Sequence, residues 1–341
     1  MSTSKSITQK SITPKRSFSP LLRWWKRLRR QPFRVGLALS GGGVRGLAHI
    51  GVLKVLERAG VPIDIITGTS AGGMIGATYA AGLTATQIEQ EFLRMCTPRQ
   101  LLNLMDRTIA RRGLFEGQRL MEHLEQWLGD QSIEQLPIPF AAVAVDLYAS
   151  QKVFIQDGPL LNAIRATIAL PAVFSPVEKN GQLLVDGGLL DNLPVDVTRQ
   201  MGADIVIAVD ISTDRESASH QIQEMSRHRL LPNRVVEMID VLWRAVDVMA
   251  DEVNRRVLEE FPPDVMIRPE IPIGVTVLSG FALAADTIAA GERAALEALP
   301  HIQSLLPPSL RAGLHPVELD EPTDEEGSPT EPVEEIAEQV K

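Results

Sequence analysis

Cysteine is almost absent from this chain of 341 residues, and Cys96 stands alone. No intrachain disulfide can form, and a zinc centre built from paired thiolates is excluded. That usage suits a reducing compartment, and the expected location is cytoplasmic, with peripheral membrane contact. Also missing is any unbroken run of about 20 apolar residues, the length a transmembrane helix needs. The N-terminus lacks the apolar centre of a secretory signal as well. Residues 1–34 contain no acid but ten Lys or Arg. Residues 316–341 hold ten Asp or Glu against Lys341 alone. Nucleic-acid binding is not expected, because the body between these ends is itself acidic and the net charge is −9.

The charge pattern divides the chain. Residues 1–32 read as a basic, disordered arm with an interfacial helix at Leu21–Arg30, where Trp24 and Trp25 stand among basic residues. Residues 301–341 read as an acidic, proline-containing, disordered tail. The span 33–300 alternates short apolar runs with amphipathic stretches. The strand runs are Val35–Leu39, Ile63–Thr67, Phe140–Val145 and Ile205–Val209. Helices are predicted over Leu47–Ala59, Ala71–Ala81, Gln118–Leu128 and about Asn233–Glu259, with another capped by Thr84. Continuous apolar strands alternating with helices imply an α/β fold: a mainly parallel central sheet covered by helices on both faces. Ligands of such sheets bind at the carboxyl ends of the strands.

Two glycine-rich motifs fall at those ends. Gly68-Thr69-Ser70-Ala71-Gly72 joins a strand to a helix, the context of a nucleophile elbow. Glycines two before and two after the serine permit close approach, and the helix start aims N–H groups at a developing oxyanion. Gly41-Gly42-Gly43-Val44-Arg45-Gly46 also follows a strand and opens a helix. It reads either as an oxyanion hole or as a dinucleotide fingerprint. The second needs an acid at the far end of the next strand. The nearest acid, Asp64, lies at that strand's start, which favours the oxyanion hole. Arg45 opposes the helix dipole and so invites an anionic partner. None of the six histidines sits where a triad base belongs. Asp186, followed by Gly187 and Gly188 at the end of a short strand, is the better base, although it also reads as a plain D-G turn.

Taken in order, SGGGVRG at 40–46, GTSAG at 68–72 and DGG at 186–188 resemble the patatin-like phospholipase family. Leu47–Leu56, Arg165–Pro176 and Gly202–Asp210 share the resemblance. It implies a patatin-like, modified α/β-hydrolase fold for 33–300. It implies a Ser–Asp dyad, with Ser70 as nucleophile and Asp186 as general base, and an oxyanion hole on the amides of Gly41, Gly42 and Gly43. Arg45, Gly46, Gly68, Gly72, Gly187 and Gly188 then support those motifs. The implied activity is serine hydrolysis of lipid esters, a step of lipid degradation, with no cofactor and no metal. Ser40 and Thr167 depart from the family pattern, and neither is expected to touch the dyad. For the acyl chain, Leu101, Leu104, Met238, Leu242 and Met249 are candidate trough residues, although helical apolar stripes usually face the core. Two rival functions remain at this point, a nucleotide-dependent oxidoreductase and a catalytically silent membrane adaptor.

Overall fold

A computed structural model describes residues 32–104, 106, 112–212 and 248–317. Leu21–Arg30, Met238, Leu242, His220 and His228 lie outside the described residues, as does most of the first compact unit, Met1–Phe33. The second unit begins at Arg34 and holds the whole sheet.

In chain order the strands are β1 (Val35–Leu39), β2 (Ile65–Thr69), β3 (Gly113–Phe115), β4 (Phe140–Asp146), β5 (Gln151–Ile155), β6 (Ala172–Phe174), β7 (Val177–Lys179), β8 (Gln182–Asp186), β9 (Ile205–Val209) and β10 (Val265–Ile267). The helices are α1 (Leu47–Arg58), α2 (Ser70–Ala80), α3 (Ala85–Met95), α4 (Pro98–Leu104), α5 (Gln118–Leu128), α6 (Leu160–Thr167), α7 (Val195–Gln200), α8 (described over 248–260), α9 (Ala284–Leu305) and α10 (Pro308–Arg311). The main sheet has the order β10-β9-β1-β2-β4-β8-β7, with β5 also paired to β4. Strands β10, β9, β1, β2 and β4 are parallel, and β5, β7 and β8 add an antiparallel margin.

The two faces of the sheet follow from strand alternation. On β1 and β2, Leu39 and Ile66 pack against α2, where a Cβ on Gly76 would collide with both. Gly36 and Ala38 point the other way, toward Thr198 of α7 and a cluster completed by Leu193, Val195 and Leu258. Both faces are therefore covered, and all five residues of β1, β2 and β9 are buried. Thr67 and Thr69 share the α7 face. Their hydroxyls are satisfied there by Pro194 O at 3.1 Å and Asp191 O at 2.8 Å.

Three differences from the sequence reading matter. Strand β2 starts two residues later than predicted and runs through Gly68 and Thr69 directly into Ser70. Helix α9 continues past position 300 to Leu305, and Ile302 and Leu306 are fully buried, so the folded part extends beyond the expected boundary to His315, whose N–H reaches Ala59 O. Met249 is 69% exposed and so lines no interior trough in this structure. The expected cap on α3 is present: Thr84 and Gln87 form a reciprocal capping box.

Candidate active site

Strand register brings the two catalytic candidates together. β5 occupies one edge of β4 over Ala142–Asp146. The other edge is shared: β2 pairs as far as Thr69↔Val143, and β8 takes over from Asp186↔Ala144. The carboxyl ends of β2 and β8 therefore meet head to head, opposite consecutive residues of β4. Ser70 follows Thr69 and opens α2, so its side chain and that of Asp186 leave from the same point of the sheet.

Ser70 has φ of +53°, the left-handed region that a residue with a Cβ enters at a cost of about 1–3 kcal/mol. The surroundings hold it there. Ser70 N–H donates to Thr167 Oγ1 at 2.9 Å, and that hydroxyl in turn donates to Val143 O at 2.6 Å. Thr167, at the end of α6, thus braces the Ser70 peptide, contrary to the expectation that it would not touch the candidate dyad. Its departure from the family pattern was the available signal. Close approach around the elbow requires glycine: a Cβ on Gly72 would lie 2.5 Å from both Leu39 O and Ser40 O, and one on Gly68 would strike Gly72. Gly46 packs against Ala71, and Gly187 against Val143 O.

Asp186 is 3% exposed. Its Oδ1 accepts the Gly188 N–H at 2.8 Å. Oδ2 is buried with no partner of hydrogen-bond geometry among the described residues, although the Ser70 hydroxyl is near enough to stabilise the carboxylate. Burial dominates and pushes the Asp186 carboxyl up to about 6, with Ser70 and Gly188 opposing the rise. A carboxylate in this condition is ionised at neutral pH and more basic than an exposed one.

The glycine loop runs alongside. A Cβ on Gly41 would come within 3.0 Å of Ser70 Cβ, which places the loop beside Ser70. The three amides are not equivalent. Gly41 N–H donates to Asn192 O at 3.1 Å, whereas the resemblance placed it in the oxyanion hole with Gly42 and Gly43. Among the described residues no hydrogen bond engages the N–H of Gly42 or Gly43. Both of these peptides are clamped from behind. Asn192 Nδ2 donates to Gly41 O at 3.3 Å, and Arg45 Nε donates to Gly42 O at 3.2 Å. In a trans peptide the N–H points opposite to the C=O. Holding those carbonyls aims the Gly42 and Gly43 N–H groups the other way. Gly43 adopts φ of +60° and lies against Val277 O, a position with no room for a side chain.

Asn192 was missed in the sequence. It stands six residues after Asp186, and its side chain lies against both Gly41 and Gly188, linking the glycine loop to the aspartate turn. Behind that turn sits a buried charge cluster. Lys152 Nζ reaches Asp191 Oδ2 at 2.9 Å and Asp196 Oδ2 at 2.5 Å. Burial raises the Asp191 carboxyl, Lys152 counters it in part, and the net shift is upward. Asp191 N–H also donates to Gly187 O at 2.9 Å, and Asp191 O accepts from Thr69, which ties the aspartate turn to the base of the elbow. His49 is fully buried. Its Nε2 donates to Ser40 O at 2.8 Å, and burial holds its pKa down at about 4, so it is neutral and structural.

Residues 37–199 match the family model described as patatin-like phospholipase. An uncharacterized NTE family protein of Mycobacterium bovis is 37% identical over 220 residues, covering 64% of this chain and 58% of the relative. Patatin-like phospholipase domain-containing protein 6 of Homo sapiens is 39% identical over 188 residues, 54% of this chain and 14% of that protein. Neuropathy target esterase sws of Drosophila melanogaster is 35% identical over 205 residues, 59% of this chain and 14% of its own length. The chain thus spans little more than half of the mycobacterial relative and a small part of the animal ones. Among solved structures, VipD from Legionella pneumophila aligns over 79% of this chain and 67% of its own, with a TM-score of 0.44 and 15% identity.

Proposed function

From the match of residues 37–199 to the patatin-like phospholipase model, we propose that the chain is a member of that family and a serine acyl hydrolase of lipid esters. The observation that carries the proposal is the head-to-head meeting of β2 and β8, which sets Ser70 beside an unpaired, buried carboxylate oxygen of Asp186.

Asp186 takes the Ser70 proton as Oγ attacks the ester carbonyl. Negative charge then collects on the former carbonyl oxygen, facing the N–H groups of Gly42 and Gly43 and the N-terminus of α2. The alcohol portion departs with a proton returned from Asp186, leaving an acyl-Ser70 ester. Water, deprotonated by the same carboxylate, attacks the acyl carbonyl; the Ser70 Oγ–acyl bond breaks, Asp186 returns the proton to Oγ, and the fatty acid is released. Arg45 and Asn192 act behind the loop as positioning residues. The basic segment Leu21–Arg30 remains a proposal for contact with anionic membrane; no helix among the described residues is long and apolar enough to cross one.

A fluorophosphonate probe tests the nucleophile directly. One label per chain at Ser70, abolished in Ser70→Ala, is the expected result; labelling at another residue, or none in the folded wild type, removes the proposal. Asn192→Ala should lower kcat for a short p-nitrophenyl ester about 10- to 100-fold with little change in KM. That is less than the 10²–10³ of losing a donor outright, because the Gly42 amide would be freed to turn without being deleted. Steady-state kinetics separates this from a purely structural role, which would reduce the active fraction and leave kcat per active site unchanged.

A further inference from the structure

The stretch from Ile271 to Ala285 (IPIGVTVLSGFALAA) contains no charged residue, yet all of it up to Leu283 forms a surface connection between β10 and α9. Surface connections are ordinarily polar, so an uncharged one needs a cause. Ile273 is 79% exposed and Leu278 58% exposed. The tip is also satisfied from within. Leu278 N–H and Ser279 N–H both donate to Thr276 Oγ1, at 3.2 and 3.0 Å. Thr276 N–H donates to Ser279 O and Val275 N–H to Pro272 O. The Thr276 and Ser279 hydroxyls pair at 2.8 Å. A loop that shows apolar side chains to the outside while the N–H groups of Val275, Thr276, Leu278 and Ser279 bond internally suits hydrocarbon better than a fully open one would.

Its position joins it to the candidate active site. Val277 O accepts the Val44 N–H at 3.2 Å and lies against Gly43, so the loop forms one wall of the oxyanion loop. A second apolar tip stands across the site. The turn after β4 presents Leu147 (44% exposed) and Tyr148 (67% exposed), and their N–H groups are bonded to Leu183 O and Asp146 Oδ1. Both β4 and β10 run parallel to β2 and end on the side where Ser70 sits. In the strand order they are four positions apart, about 19 Å, with β9, β1 and β2 between them.

We propose that these two tips are the docking surface by which the protein seats its site on a lipid bilayer, with Ile273 and Leu278 entering the acyl region and Tyr148 resting at the headgroup level. The inference rests on the hydrolase reading only for what the docking serves. The contact is apolar, so it operates on uncharged membranes, apart from any attraction of the basic arm to anionic ones.

The test uses the full chain and vesicles of diether phosphatidylcholine, which have no net charge and no ester to hydrolyse. Ile273→Asp/Leu278→Asp should partition at least tenfold less than wild type in a sedimentation assay, with an unchanged thermal midpoint. As a second measurement, Cys96→Ser/Leu278→Cys labelled with an environment-sensitive fluorophore should brighten severalfold on adding the vesicles. Equal partitioning of the double variant and wild type, or a fluorophore at 278 that stays unchanged while the protein sediments, overturns the proposal and assigns binding to another segment or the loop to another occupant. Neither readout involves turnover. A chain that fails to take fluorophosphonate but passes both would lose the hydrolase reading and keep the docking surface.

Discussion

Asp186→Asn should lower kcat/KM for a short p-nitrophenyl ester by about 10⁴-fold while making the folded protein more stable at neutral pH. An amide keeps the shape of the carboxylate, and its oxygen can still accept the Gly188 N–H, but it cannot take a proton from Ser70. The same burial that makes Asp186 a stronger base makes its charge costly. A rise from 3.8 to about 6 corresponds to about 3 kcal/mol of penalty on the ionised form. Because the folded-state pKa is raised, stability is lost as pH rises from about 4 through 6. The Asn variant escapes that loss, so its thermal midpoint should exceed wild type at pH 8 and converge with it near pH 4. Activity should run the other way in the wild type. The base must be ionised, so kcat/KM climbs with pH, with a midpoint about 6, and levels off above it. A variant that keeps more than a hundredth of wild-type turnover, or a wild type whose rate is flat between pH 5 and 8, would show that Asp186 is not the base. A stability gain bought at the cost of activity is the usual sign of a functional group held in an unfavourable place.

The second large effect is expected at Lys152. Replacing it with Met leaves Asp191 and Asp196 facing each other in the interior without their cation. Breaking a buried pair by removing one partner costs about 3–5 kcal/mol, and the part-exposed ammonium places this case near the lower end. Burial alone works against the Lys152 charge, and the two carboxylates more than restore it, leaving its pKa raised. In Lys152→Met the carboxylates can escape by taking up protons. Since the Asp191 carboxyl, already raised by burial, loses the cation that held it down, the deficit should be about 3 kcal/mol at pH 8 and clearly smaller at pH 6. Urea unfolding at the two pH values checks this. The same deficit at both would mean that packing of the lysine stem, and not its charge, carries the effect. Asp191 also holds Thr69 and Gly187, so the variant should lose esterase activity before it loses its fold.

Much of the architecture was legible in local pattern. The apolar runs of β1, β4 and β9 and the Thr84 cap on α3 were found where the residues put them, because period and cap chemistry act over a few residues. A local signal for the β7–β8 hairpin was present but unused. Asn180-Gly181 takes φ of +52° and +79°, as a two-residue turn of that composition does. Other features had no local signal. Nothing near Lys152 announces Asp191 and Asp196, which are brought to it by packing across the sheet. Nothing near the glycine loop shows that Gly41 N–H is taken by Asn192 O, 151 positions away.

By itself the sequence determined which groups are available: a hydroxyl between two glycines after a strand, an aspartate before two more, and a loop with no side chains over its amides. Residue type and short-range spacing suffice for that, since they decide where a chain can turn tightly and where a helix can begin. Only the tertiary structure decided which groups face each other and which donors remain free. Those outcomes depend on strand register and on hydrogen bonds between distant segments. β8 runs antiparallel and stops opposite Ala144, and a shift of one residue there would turn the Asp186 side chain to the other face of the sheet.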